Sequence, residues 1–251
     1  MISFASMLSK AQNKHIRSLS LQKFRNEHHQ FLVEGDKIVR EWLTSNADIN
    51  FIIGLEDWML ENESFINLHP NAQIIIVDET ELKTISALQT PNRVLAVVRM
   101  SVESKELPID EWTIVLEHLQ DPGNMGTIIR IADWFGIGHI VCSKDCVDVY
   151  NPKVIQAAMG SHLRMQFHIA DLQDFLPKIK IPILAATLNG NDMNQLPPLE
   201  KAMLMIGNES KGLSQQLIQL ATHQVTIARK GSAESLNAAV ATGILCAHFI
   251  R

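Results

Sequence analysis

The sequence is poor in several things, and each shortage closes a class of function. Among 251 residues there are 3 cysteines, Cys142, Cys146 and Cys246. An odd and small number supplies no disulfide framework, which points to a reducing compartment. No apolar run approaches the roughly 20 residues of a membrane-spanning helix. The N-terminus lacks the apolar core of a signal peptide, so the expected location is the cytoplasm and no membrane partner is expected. A basic excess is also missing: 22 Lys and Arg stand against 27 Asp and Glu, a net charge of −5. A global field for nucleic acid is thereby excluded, while a local basic patch is not. No G-x-G-x-x-G occurs, and Gly136-x-Gly138 follows a helix instead of opening one, which argues against a Rossmann cofactor site. No G-x-S-x-G occurs, so the hydrolase nucleophile elbow is absent. Cys142, Cys146 and His139 lack a second ligand pair, and His139 and Cys142 lie along one expected strand, so no metal is expected.

Negative charge is missing locally as well. Glu27 is the first acidic residue, and Lys10, Lys14, Arg17, Lys23 and Arg25 precede it. The residues alone leave two readings open, a solvated helix face or an arm that contacts phosphate.

What is present is a chain long enough for two modest domains or one large one. Short apolar runs alternate with helical periodicity, the pattern of an α/β fold. In the first half strands are expected at Phe31–Val33, Phe51–Ile53, Ile74–Val77 and Val94–Val98, with helices from Asp36 to Leu43 and through Leu82 and Ile85. Ser101–Asp110 is polar and aperiodic, a linker between domains at 1–100 and 111–251. In the second half strands are expected at Ile114–Leu119, His139–Cys142, Gln166–Ile169, Ile183–Leu188, Met203–Ile206 and Val225–Ile227. Helices are expected at Met125–Phe135, Pro152–Met159, Ser214–Leu220 and Leu236–Phe249. The strands are short and apolar, as in a mainly parallel sheet covered on both faces. Asn189-Gly190-Asn191-Asp192 and Pro197-Pro198 read as a long surface connection.

Three corners of the second half carry polar groups just past an expected strand, where open α/β sheets bind ligands. The first is Asp121-Pro122-Gly123-Asn124 and the helix behind it, with Asn124, Gly126 and Arg130. Arg130 sits in an otherwise apolar helix, where a charge needs a partner. The second is Gly207-Asn208-Glu209-Ser210-Lys211-Gly212, whose small residues let backbone N–H groups face a ligand. The third is Ser235-Leu236-Asn237, opening a helix of small residues with Ser235 as its expected N-cap.

Asn124-x-Gly126-x-x-x-Arg130, Gly207-Asn208-Glu209-x-x-Gly212 and Ser235-Leu236-Asn237 resemble, in order, the three motifs of the SpoU/TrmH RNA 2′-O-ribose methyltransferases. The resemblance covers about residues 112–251. Lys23-Phe24-Arg25 before Phe31–Gly35, and Thr90-Pro91 before Val94, resemble the opening and close of that family's substrate-binding domain. The sequence departs at Ser210, at Ala228-Arg229 and at Ala239-Val240-Ala241.

The resemblance implies a small N-terminal α/β RNA-binding domain and a C-terminal α/β domain with a SPOUT-type trefoil knot. It implies S-adenosylmethionine as cofactor, held by Gly207, Ile227 and Leu236 with Thr187 nearby. It implies transfer to a ribose 2′-hydroxyl of RNA, with rRNA favoured over tRNA, and a homodimer whose first-motif helix offers Ile128, Ile131, Trp134 and Phe135. A noncatalytic RNA-binding relative is the alternative. In this reading Arg130 clamps the substrate phosphate and the developing oxyanion, and Asn124 and Glu209 orient it. Ser235 and Asn237 bond the ribose or phosphate. Lys14, Arg17, Lys23 and Arg25 contact RNA.

Overall fold

The computed structural model describes residues 8–100 and 106–250. Residues 101–105 of the expected linker lie outside them. The described residues form two compact units. The first takes those of 1–102 together with Tyr150–Leu163, and the second takes those of 103–149 and 164–251.

In chain order the elements are α1 (Lys10–Ser18), α2 (Gln22–His28), β1 (Gln30–Glu34), α3 (Asp36–Leu43), β2 (Ile49–Gly54), α4 (Glu56–Glu61), α5 (Glu63–Ile66), β3 (Gln73–Ile76), α6 (Glu79–Ile85) and β4 (Val94–Arg99). There follow β5 (Thr113–Leu116), α7 (Pro122–Trp134), β6 (His139–Cys142), α8 (Pro152–Ala158), β7 (Gln166–Ile169), α9 (Leu172–Phe175), β8 (Ile183–Asp192), β9 (Met203–Ile206), α10 (Gln215–Leu220), β10 (His223–Thr226) and α11 (Ala238–Phe249).

The first unit is a four-stranded sheet of order β1-β4-β2-β3. β2 and β3 are parallel, and β4 runs antiparallel to both of its neighbours. Strand side chains alternate between faces, and here both faces are apolar. Phe31, Val33, Ile52, Ile74, Val94, Ala96 and Val98 share one core with Ile38, Val39, Trp42 and Leu43 of α3 and with Trp58 of α4. Leu32, Ile53, Ile75, Leu95 and Val97 share the other with Ile16 and Leu19 near α1 and with Leu82 and Ile85 of α6. Ile155 of α8 joins the first of these cores, although it follows β6 in the chain, and Gln156 donates to the Glu34 carbonyl at 2.7 Å.

The second unit is a six-stranded sheet of order β10-β8-β9-β5-β6-β7, every pairing parallel. From β5 the chain winds outward through β6 to β7. It then crosses to β8 and returns to β9 beside β5, so the winding reverses between β5 and β9. The carboxyl ends of those two strands therefore border the crevice where such sheets place ligands. Among the described residues no helix is long and apolar enough to cross a membrane, and no group of three or more His, Cys, Asp or Glu is placed to hold a metal ion.

Several boundaries differ from the expected ones, each for a physical reason. β5 ends at Leu116, because His118 takes a left-handed φ of 52° and the buried Glu117 carboxylate accepts the Ser214 N–H at 2.7 Å. α7 starts at Pro122, capped by Asp121, whose carboxylate accepts the Asn124 N–H. α11 is capped by Asn237, not Ser235: its Oδ1 accepts from Ala239 and Val240. The expected surface connection at Asn189–Asp192 is the end of β8. Pairing with β10 jumps from Ala185 to Asn191 while β10 advances from Gln224 to Val225. A Cβ on Gly190 would come within 2.6 Å of the Gln224 backbone, so only glycine fits there.

Candidate functional site

The three polar corners meet within the second unit through one chain of hydrogen bonds. Asn237 Nδ2 donates to Asn124 Oδ1 at 2.7 Å, and Asn124 Nδ2 donates to Glu209 Oε1 at 3.2 Å. The amide orientations follow from chemistry. Asn237 Oδ1 is taken by the N–H groups of Ala239 and Val240, which leaves its NH2 to donate. Asn124 must then present oxygen to Asn237 and NH2 to the carboxylate. Asn124 is buried, so an unmet amide there would cost about 1–3 kcal/mol.

Glu209 is held by the segment that joins β5 to α7. The Asp121 N–H donates to its Oε1 at 3.0 Å and the Gln120 N–H to its Oε2 at 3.3 Å. Burial alone would raise this carboxyl. Donation from the backbone of Asp121 and of Glu209 itself, from the Asn124 amide and from Gln120 outweighs it and leaves the group below its ordinary value. With the folded value depressed, the ionised carboxylate supports the network above the ordinary range, and this support is lost as pH falls through the folded value. Methyl transfer is therefore expected to show no limb from Glu209 between pH 5 and 9. Glu209→Gln should lower the single-turnover rate about tenfold across that whole range, since a charged hydrogen-bond acceptor is lost. A rate–pH series on both proteins checks this.

Arg130 lies on α7, as expected. It is exposed, and among the described residues no hydrogen bond or ion pair engages its guanidinium. Glu209 is taken up by the β5 corner and by Asn124, so neither residue orients Arg130 as the sequence suggested. Ser235 is exposed and its hydroxyl bonds to none of the described residues, so the structure joins Asn124, Glu209 and Asn237 but not Ser235.

Of the four expected cofactor positions, Thr187 lies within β8, Gly207 and Ile227 directly follow β9 and β10, and Leu236 stands just before α11. Thr187 has a buried Oγ1 with no hydrogen-bond partner among the described residues, an orphaned acceptor and donor of the kind a ligand satisfies. Gly207 is buried, and a Cβ there would collide with the backbone of Gly212 and Leu213. Ile227 is half-buried and Leu236 is 48% exposed, apolar surface next to polar groups. An adenosyl group has an apolar ring face and polar edges, and these residues fit it.

The basic residues of the first unit divide. Lys14 and Arg17 are exposed on α1 and line an open groove of about 330 Å³ with Lys10, Asn13 and Leu8. Lys23 is exposed, its ammonium 5.7 Å from the Phe24 ring centre. Arg25 is corrected: it is 1% exposed and donates to the Leu19 and Ser20 carbonyls, both at 2.9 Å. It closes the end of α1 and cannot reach a phosphate. Arg25→Ala should cost about 3 kcal/mol of stability. Lys14→Ala with Arg17→Ala should leave stability within about 0.5 kcal/mol and weaken RNA binding with a shallower salt dependence. Thermal unfolding beside filter binding separates the two.

Sequence reasoning gave no role to Gln120 and His118, and read Asp121 and Asn208 only as turn and loop residues, yet all four build the cradle. The Asp-Pro pair was a usable signal, since an N-cap followed by Pro at the first helical position marks a helix start.

The SpoU rRNA Methylase family model matches residues 111–247, and the MRM3-like substrate binding domain model matches residues 10–96. The chain is 28% identical over 248 residues to the 23S rRNA (guanosine(2553)-2′-O)-methyltransferase RlmP of Bacillus subtilis, covering 96% of this chain and 98% of that protein. A TrmH-family structure from Porphyromonas gingivalis is 35% identical, with 97% of this chain and 98% of the other covered and a TM-score of 0.85. The AdoMet-bound rRNA methyltransferase from Sinorhizobium meliloti is 27% identical, with 98% and 96% covered and a TM-score of 0.85.

Proposed function

Because the chain belongs to the SpoU rRNA methylase family, we propose that it methylates a ribose 2′-hydroxyl of ribosomal RNA with S-adenosylmethionine as donor. The observation that carries this is the hydrogen-bonded line Asn237–Asn124–Glu209, which joins all three motif segments. The choice of rRNA is supported by the name of the similar RlmP, a 23S rRNA enzyme. Residues 1–100 serve as the RNA-binding domain and 111–251 as the methyltransferase domain, with 101–110 between them.

Thr187, Gly207, Ile227 and Leu236 would hold the cofactor, the first by its orphaned hydroxyl and the others by backbone and apolar contact. When bound, the cofactor supplies a methyl group activated on a sulfonium. The chain's own task is alignment and the handling of charge. A ribose hydroxyl is a poor nucleophile, so its developing negative charge needs a donor aimed at it. Arg130 supplies that donor. Guanidinium stays protonated in proteins, so Arg130 clamps the oxyanion and an adjacent phosphate and is not a base. No described residue engages its guanidinium, which leaves its donors for RNA. The proton leaves through phosphate or water. Ser235 bonds the ribose or phosphate, while Asn124, Glu209 and Asn237 keep the corners in register.

In the same reading the segments after β9 and β10 and α11 form a trefoil knot. The working form is a homodimer, supported by apolar side chains that one copy leaves bare: Trp134 of α7 is 85% exposed and Val240 of α11 is 50% exposed, on helices that pack together. The enzyme works in the cytoplasm. Calorimetry with S-adenosylmethionine, followed by transfer of labelled methyl to rRNA, tests the proposal. Binding and a labelled 2′-O-methylnucleotide are expected, whereas RNA binding without cofactor binding would leave a noncatalytic module. Sedimentation as a stable monomer at micromolar concentration would remove the dimer.

A further inference from the structure

Asn208 occupies the junction of the two loops that hold the site, two residues past the end of β9. Its Oδ1 accepts from the Ser210 N–H at 3.0 Å, the Ser210 hydroxyl at 2.9 Å and the Lys211 N–H at 3.1 Å. Its backbone exchanges two hydrogen bonds with Gly212, at 3.1 and 2.9 Å. With the oxygen so occupied, the NH2 must point away from its own loop. It donates to the His118 carbonyl at 2.8 Å and reaches Glu209 Oε2 at 3.4 Å.

The far end of that bond is itself fixed. His118 has a φ of 52°, a conformation that costs a residue with a side chain and persists only where neighbours enforce it. Its N–H donates to Ser143 Oγ at 3.0 Å, and its Nε2 lies 3.1 Å from Asp145 Oδ2. Gln120 and Asp121, the backbone donors to Glu209, follow within three residues. Holding the His118 carbonyl thus fixes where those donors stand, and the second proton of the same amide meets the carboxylate they serve.

We infer that Asn208 is a positioning residue for methyl transfer, one amide that locks the Glu209 loop to the β5 corner and turns the carboxylate onto its donors. This rests on the methyltransferase reading above. Asn208 touches neither reacting group. It acts through Glu209, and through Glu209 on Asn124 and the start of α7.

Two substitutions in the full chain separate this role from loop folding. Asn208→Asp keeps the oxygen acceptors, loses the amide donor and sets a second carboxylate against Glu209. Asn208→Ser keeps a hydroxyl that can accept from the loop but is too short to reach the His118 carbonyl and Glu209, and it adds no charge. Both should keep S-adenosylmethionine affinity within about threefold and lower single-turnover methylation of rRNA by about 10- to 100-fold at pH 8, the scale of a lost charged hydrogen bond. The Asp variant should recover relative to wild type as pH falls toward 5, because two adjacent carboxylates share a proton and the protonated one donates again. The Ser variant should show no such recovery. Wild-type rates in both variants, or a loss of cofactor affinity with the transfer rate preserved, would overturn the inference. If the Asp variant does not fold, the Ser variant decides by the same split between rate and affinity. Carboxyl-carbon NMR of Glu209 gives a readout without turnover. Its titration should move up in Asn208→Asp, and an unmoved titration overturns the positioning role. A wild-type protein that transfers no methyl to rRNA would instead count against the methyltransferase reading.

Discussion

Arg130→Ala is expected to lower single-turnover 2′-O-methylation by about 10²- to 10³-fold, the scale of removing one preorganised donor from a developing oxyanion, while cofactor affinity stays within about threefold. The separation follows from where the side chain stands. Arg130 is exposed on α7, and no described residue engages its guanidinium. Removing it leaves no buried carboxylate unpaired, so the fold should lose less than about 0.5 kcal/mol. Had Glu209 been its partner, the same substitution would have stranded a charge and destabilised the site. Glu209 is satisfied by Gln120, Asp121 and Asn124 instead. Arg130→Lys should recover only a small part of the rate, since an ammonium is a point charge and lacks the planar fork that grips phosphate and oxyanion together. Single-turnover rates at saturating cofactor and RNA, with calorimetry on the same preparations, read both effects.

Gly207→Ala should abolish detectable cofactor binding and cost about 1–3 kcal/mol of stability, the range for overpacking. The added methyl would meet the carbonyl group of Gly212 and the nitrogen of Leu213, all backbone atoms that cannot rotate away. Those atoms close the loop through the Asn208–Gly212 pair. Relief of the clash would open the loop and carry Glu209 off its donors. Gly138→Ala is the control, because a Cβ there meets nothing within 4 Å. Equal melting temperatures and equal cofactor affinities for the two variants would contradict the close approach at Gly207.

Much of this arrangement was legible in the residues, because apolar runs and turn chemistry are local properties. Met203–Ile206 and His139–Cys142 are strands with the limits that their apolar runs indicate. Asn124, Glu209 and Asn237 were singled out by motif and do meet. The failures share a cause: the deciding partner lies outside the residue's own helix or strand. Arg25 looks like its basic neighbours until α1 and α2 fold and two carbonyls appear beside it. Asn189–Asp192 has the composition of a surface turn, and only the backbone of Gln224 against Gly190 makes it part of a strand. Ser235 is as good a cap as Asn237 by residue type. Asn237 takes the position because the same side chain also reaches Asn124. Ile155 reads as part of a helix in the second half, and nothing local says that it completes the core of the first unit.

The central claim is that these corners present one ribose hydroxyl of rRNA to a bound methyl donor. Mapping 2′-O-methylation across the rRNA of cells lacking the gene, with the gene restored as wild type or as Arg130→Ala, tests it most directly. The account predicts one ribose methylation lost on deletion, regained with the wild-type gene and not with Arg130→Ala. An unchanged ribose-methylation map, or a lost methyl that proves to sit on a base, would contradict it.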